Sequence, residues 1–259
     1  MTRKYSDQGD QITAAMIRAS KRYEAYWDRS EQAVLARFER HVGAMGADAL
    51  HCLDAGCGDG RLLPTLSRLF ARVSAIEPDL ERCAAAQRCV DHHDLANVDL
   101  RALTIEDLPD AERYDIIVCS HVVQHVPLRS LDTVLACLSR ALSPGGVMLV
   151  MTCHSTDGTD RFVRSFLRDG KTIEEDVAQA QFDALFDEEG VLPIHFFTRD
   201  SLQCLAKSHG LGFGQFGVFH LEKSAYPLWL VPNADRLVNC VPALQRKHGR
   251  DLWVFTTHE

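Results

Sequence analysis

Apolar positions along this chain change period in a regular order. Between Gln11 and Val42 they fall at helical spacing: Ile12, Met16, Ile17, Tyr23, Tyr26 and Trp27, then Val34, Leu35, Phe38 and Val42. That spacing lays one apolar stripe along a helix. Asp28 or Ser30 is where the stretch is expected to break in two, with Ser30 as an N-cap. Leu50, Cys52 and Leu53 then make a short strand-like run, glycines alternate at Gly56, Gly58 and Gly60, and a helical pattern opens with Leu62, Leu63, Leu66, Leu69 and Phe70. Pro64 sits in the first turn of that helix, where a missing N–H costs little. Strand, glycine turn and helix in succession form the first half of a βαβ unit.

The alternation continues. Arg72–Ile76 is the expected second strand and Val98–Leu103 the third, and between them Asp79 is placed to cap a helix over LERCAAAQRCV. Tyr114–Ser120, YDIIVCS, is apolar almost throughout and is expected to be a central strand buried on both faces. A helix over 128–142 carries Leu128, Leu131, Leu135, Leu138 and Leu142, and Ser143-Pro144-Gly145-Gly146 turns the chain into a fifth strand, Val147–Met151. After residue 197 a capped helix follows Thr198-Arg199-Asp200, then a sixth strand over Gly212–Leu221, a helix over Pro232–Leu244 and a seventh strand over Leu252–Thr257. Strands alternating with helices imply an α/β fold, an open and mostly parallel sheet covered on both faces.

Residues 154–197 break the rhythm. Arg161–Leu167 is expected to be a short helix, and Thr172–Glu189, rich in Asp and Glu, an acidic one. An insertion after the fifth strand lies at the carboxyl edge of the sheet, where open α/β folds bind ligands, so it is expected to act as a lid. Its acidic residues are expected to form a solvated face, with a preference for a cationic acceptor as the sharper alternative. The organisation expected is a helical cap over 1–46 and one domain over 47–259, with the lid at about 154–197.

With 46% hydrophobic residues, a chain of 259 can bury a substantial core. The formal net charge of -8 argues against a nucleic acid partner, which calls for clustered Lys and Arg. No apolar run reaches the length of a membrane span. The nine cysteines include no C-x-x-C pair, and their odd number without a signal peptide points to a reducing cytoplasm. His92-His93-Asp94 is the tight histidine cluster, and a solvated loop explains it better than a metal, so no metal is expected.

The chemistry concentrates in His51–Arg61, HCLDAGCGDGR. Its spacing is G-x-G-x-G, whereas the dinucleotide fingerprint is G-x-G-x-x-G. Asp54 sits just before the turn and Asp59 inside it. Two carboxylates there would repel a pyrophosphate and attract a cationic amino acid. LDAGCGDGRL resembles the first motif of the class I S-adenosylmethionine-dependent methyltransferases, whose ligand carries a sulfonium and an ammonium group. Thr104–Pro109, His121–Pro127, SPGGVMLV and FFTRDSLQCLAKSHGL resemble later segments of that family in type, order and spacing. The resemblance implies a Rossmann-like sheet of seven strands with the last antiparallel, inserted between the fifth and the sixth. It also implies S-adenosyl-L-methionine as the cofactor.

On that resemblance, Asp54, Gly56, Gly58 and Gly60 would hold the methionine portion. Glu77, ending the second strand, is assigned to the ribose, since one carboxylate can accept from both hydroxyls. Thr104 stands where the family commonly has an Asp facing adenine; its hydroxyl can still accept, and the N–H of Ile105 can meet the ring. Ser120, ending the fourth strand, completes the expected cofactor set. The Tyr23, Tyr26 and Trp27 group resembles the aromatic helix that covers this cofactor, although packing against the sheet explains it as well.

Methyl transfer from a sulfonium is an in-line displacement, and a hydroxyl or ammonium acceptor must also lose a proton. His125 is the first candidate base and His121 the second; His154, His195 and His220 are further pocket candidates. The expected function is methylation of a small molecule, with a homodimer as the commonest assembly. A non-catalytic cofactor-binding partner, or an enzyme acting on tRNA or protein, are the alternatives.

Overall fold

A computed structural model describes residues 9–19, 23–221 and 231–258. The side chains of Tyr23 and Tyr26 lie outside what it describes. Two helices, α1 (Gly9–Ala19) and α2 (Tyr23–Gly43), precede the sheet. Ser30 is not a cap: α2 runs through it, and its buried hydroxyl donates to Asp235 at 2.7 Å and accepts from the His220 N–H at 2.9 Å. A helix-interior serine is stable there because two buried groups claim its oxygen.

The strands of the main sheet are β1 (His51–Ala55), β2 (Arg72–Ile76), β3 (Val98–Arg101), β4 (Tyr114–Ser120) and β5 (Leu142–Cys153), with β9 (Leu211–Phe219) and β10 (Asp251–His258). The seven lie in the order β3-β2-β1-β4-β5-β10-β9. The pairs among β1 to β5 are parallel, and β10 runs antiparallel to both β5 and β9. The insertion of the last strand between the fifth and sixth is therefore as expected. β5 begins at Leu142, directly after the helix, rather than at Val147; Gly145 at φ +77° gives the kink within the strand.

Both faces are covered. Helices α3 (Leu63–Leu69) and α4 (Leu80–His92) lie beside α2, with Phe38, Leu63, Leu66, Trp253 and Phe255 in one core layer. Helices α5 (Leu128–Ala141) and α7 (Arg199–Ser208) cover the opposite face, which holds Leu53, Ile117, Leu138, Leu202 and Val254. Alternate residues of β10 serve alternate layers, as the two-residue period of a strand requires. Asp79 caps α4, accepting from the N–H groups of Glu81 and Arg82. The expected helix over 232–244 is two pieces, α8 (Val231–Asn239) and α9 (Pro242–Gln245), separated ahead of Pro242. Among the described residues, no helix is long and apolar enough to cross a membrane.

The lid corrects the sequence expectation. Its two expected helices are instead a three-stranded antiparallel sheet, β7-β6-β8, made of β6 (Arg161–Arg168), β7 (Lys171–Val177) and β8 (Val191–Phe196). The short helix α6 (Gln179–Phe182) lies between β7 and β8. Asp169 and Gly170 join β6 to β7 with φ of +52° and +72°, the two positive values that a tight hairpin turn needs. Phe162 faces Val177 and Phe166 faces Ile173 across the ladder, so the aromatic spacing serves strands. The acidic residues are largely exposed, as expected of a solvated face, and some are paired there: Asp176 with Arg161, Glu188 with Arg164 and Glu174 with Arg250.

Candidate functional site

β1 ends in Asp54-Ala55 at the carboxyl edge, and the glycine turn follows. Gly56 and Cys57 donate to the Ile76 carbonyl at the end of β2, at 3.0 and 2.9 Å, so the turn is pinned to the neighbouring strand. Gly58 (φ +61°) and Gly60 (φ +87°) both need the left-handed region. A Cβ on Gly60 would also meet the Ala86 backbone at 3.1 Å and Cys89 at 3.2 Å, and one on Gly58 would strike the Arg82 guanidinium. The bare backbone at both positions therefore also lets α4 pack close.

Glu77 holds the turn from the other side. One carboxylate oxygen accepts from the Gly58 N–H at 2.9 Å and the other from the Asp79 N–H at 2.9 Å. Asp54 is 1% exposed, and its Oδ2 has no hydrogen-bond partner among the described residues. Burial pushes its carboxyl up to about 7, against the pull of Arg61 and with the help of Glu77 and Glu31. Glu31, from α2, pairs with Arg61 through one oxygen and leaves the other, Oε1, buried and unpartnered. Two buried carboxyl groups whose oxygens are unpartnered among the described residues, beside a glycine turn, make a setting that favours a cationic ligand.

Thr104 and Ile105 lie past β3. The Thr104 hydroxyl donates to Asp107 at 2.8 Å and accepts from its N–H, closing a local turn, while the Ile105 side chain is buried. Ser120 ends β4, with its Oγ buried and unpartnered.

The candidate histidines separate by what their ring nitrogens face. His125 Nδ1 donates to the Pro193 carbonyl of β8 at 2.8 Å, and its Nε2 meets the Gln124 amide at 3.1 Å. Both nitrogens are engaged, so His125 ties the post-β4 turn to the lid. His154 Nδ1 donates to the Gly249 carbonyl at 3.1 Å, and His195, on β8 of the lid itself, meets Asp160 through Nε2 at 2.8 Å. His220 lies between Asp251 and the Trp27 carbonyl and stacks on the Trp27 ring at 3.8 Å. His121 Nε2 and His195 Nδ1 are the ring nitrogens of these candidates that are buried with no partner among the described residues, and of the two only His121 lies beside Asp251. His92 and His93 are exposed at the end of α4. His125→Ala is expected to lower stability by about 2 kcal/mol, two lost hydrogen bonds at about 1 kcal/mol each, and to change turnover less than threefold; scanning calorimetry and initial rates would check this.

Residues 22–212 match the family model described as a methyltransferase domain. The chain belongs to that family. Among curated relatives it is 37% identical over 123 residues to a ubiquinone biosynthesis O-methyltransferase of Bradyrhizobium diazoefficiens, covering 47% of each chain. It is 30% identical over 159 residues to the protein of the same name from Bradyrhizobium sp. (strain ORS 278), covering 54% of this chain and 62% of that one. The matched region thus spans about half the length of these relatives. Among solved structures, an S-adenosylmethionine-dependent methyltransferase from Clostridium acetobutylicum superposes with a TM-score of 0.59 at 15% identity, covering 96% of this chain and 97% of that one. The Burkholderia thailandensis 1,6-didemethyltoxoflavin-N1-methyltransferase superposes with a TM-score of 0.54 at 16% identity, covering 95% and 89%. At such identities the likeness is one of fold, and the methyltransferase domain has the class I architecture.

Sequence reasoning missed Glu31, Gln124 and Asp251. Asp251 had a signal: it opens the antiparallel strand, so it had to lie at the ligand edge. Glu31 and Gln124 had none, since only packing turns their side chains inward.

Proposed function

We propose that this methyltransferase domain transfers a methyl group from S-adenosyl-L-methionine to a small-molecule acceptor. The observation that carries the reading is the pair of unmet carboxylate oxygens, on Asp54 and Glu31, beside the glycine turn. The bound cofactor would bring an ammonium and a sulfonium, the latter being the activated methyl donor. Asp54, Gly56, Gly58 and Gly60 would hold its methionine portion, with Ser120 Oγ lining the same edge. Glu77 would take the ribose hydroxyls, because each of its oxygens already accepts one bond and keeps a lone pair for another. Thr104 and the Ile105 N–H would take the adenine.

The small-molecule part of the reading rests on the relatives, whose names give ubiquinone biosynthesis and a toxoflavin precursor as their business. A cytoplasmic location is supported by nine cysteines that are all unpaired, and a homodimer is the assembly we expect. Calorimetric titration with S-adenosylmethionine, S-adenosylhomocysteine and NAD tests the donor assignment. Saturable binding of the two sulfur ligands and none of NAD is expected. Binding of NAD alone would overturn it.

A further inference from the structure

One buried cluster at the carboxyl edge is not used by the donor. Asp251 opens β10 and is 1% exposed. Its Oδ2 faces His220 Nδ1, and its Oδ1 lies 3.9 Å from His121 Nδ1 with no hydrogen bond among the described residues. His121 follows β4 at φ +56° and His220 follows β9 at φ +52°. Two non-glycine residues in the left-handed region, on either side of one buried carboxylate, are the kind of strain that packing keeps at working sites.

The ring nitrogens then assign themselves. His220 faces the Asp251 carboxylate through Nδ1 and the Trp27 carbonyl through Nε2 at 3.2 Å, so both of its ring nitrogens are occupied and neither is open to an acceptor molecule. His121 Nδ1 faces two acceptors, Gln124 Oε1 at 3.3 Å and Asp251 Oδ1. Gln124 cannot turn its amide round, because Oε1 also accepts from the Cys153 N–H at 2.9 Å and the Thr152 hydroxyl at 3.3 Å. The His121 hydrogen therefore sits on Nδ1, and the lone pair sits on Nε2, the buried atom without a partner among the described residues.

We propose that His121 is the catalytic base for a hydroxyl acceptor of phenol-like acidity, with Asp251 and Gln124 as the residues that position it. The proposal rests on the methyl-transfer reading above. In the step, the acceptor O–H breaks and its proton passes to His121 Nε2. The oxygen forms the bond to the methyl group, and the sulfur–methyl bond breaks with its electron pair going to sulfur, leaving a neutral thioether. The new imidazolium is balanced by Asp251, as an aspartate balances a histidine in hydrolytic triads. Burial holds His121 below the ordinary imidazole range; Asp251 and Glu31 oppose this, while His220 and Arg61 add to it, and the Cys153 thiol faces it from β5. A weak neutral base of this kind meets a phenol, with a pKa of about 10, across a few units, and an aliphatic alcohol across far more.

The test uses the whole chain with saturating S-adenosylmethionine and three probes of graded acidity: phenol, catechol and 4-nitrocatechol. His121→Ala should lower kcat by about 10²–10⁴-fold while leaving donor affinity within twofold. Asp251→Asn should lower kcat by about tenfold or more with KM little changed, and the loss should shrink for the most acidic probe. In uniformly labelled wild type, the nitrogen shifts of His121 should report the neutral Nδ1–H form at pH 7, whether or not the variants fold. Several outcomes would overturn the proposal: an Nε2–H tautomer, equal loss for all three probes, or donor binding without methylation of any of them. So would stoichiometric zinc lost in Cys153→Ser, since His121, Cys153 and Asp251 offer ligand atoms within 4.8 Å of one another. Failure of wild type to bind the donor would instead sink the underlying methyl-transfer reading.

Discussion

Glu77→Ala is expected to weaken S-adenosylmethionine binding by about a hundredfold. A hydrogen bond to a charged group contributes about 1.5–3 kcal/mol, and two ribose hydroxyls on one carboxylate give about 3 kcal/mol as a lower figure, or roughly two decades. The substitution also removes the acceptor of the Gly58 and Asp79 N–H groups, so the glycine turn loses its brace and α4 loses part of its start. Glu77→Gln separates the two contributions. It keeps the shape and one acceptor oxygen, and should retain more affinity than the alanine variant. Calorimetry measures both; a loss under threefold for Glu77→Ala would remove this residue from the donor site.

Donor affinity should also fall steeply with acid. Asp54 is held up at about 7 by burial in the ligand-free protein, so below that pH the carboxyl is neutral and must lose its proton before it can attract a cation. Affinity should thus fall by up to about tenfold per pH unit below 7, approaching a hundredfold between pH 7.5 and 5. Stability runs the other way. The folded pKa lies above the ordinary aspartate value of 3.8, so the contribution of this group is full below 3.8 and is lost as pH rises through about 7. The thermal shift given by S-adenosylmethionine should therefore be larger at pH 7.5 than at pH 5.5. Asp54→Asn should flatten both profiles. A pH-independent affinity in the wild-type protein would show that the Asp54 carboxylate does not meet the donor.

Both predictions concern residues that could be found in the sequence, and the reason is local. Strand, glycine turn, helix and the acidic end of the next strand follow one another within a single βαβ unit, so Asp54 and Glu77 are positioned by short-range geometry. The same holds for the Asp79 cap, whose partners are two and three residues away. The lid was misread because the aromatic spacing in Arg161–Leu167 suits a helix as well as a strand. The Asp169-Gly170 pair was the turn signal that separates the two.

The candidate base shows where such reasoning stops. His125 and His121 stand four positions apart on the same turn and carry the same chemistry. What distinguishes them is a carbonyl on β8 for one and a carboxylate on β10 for the other, both brought in from distant parts of the chain. The sequence by itself determined the α/β alternation, the glycine turn, the ribose-end acid and the family, because periodicity and motif spacing are properties of neighbouring residues. Only the tertiary structure decided that the lid is a sheet, that Glu31 leaves an oxygen unmet beside Asp54, and that Gln124 and Asp251 fix one histidine with its lone pair on Nε2. Buried polar groups take their roles from whichever partner packing supplies, and those partners here come from four different elements.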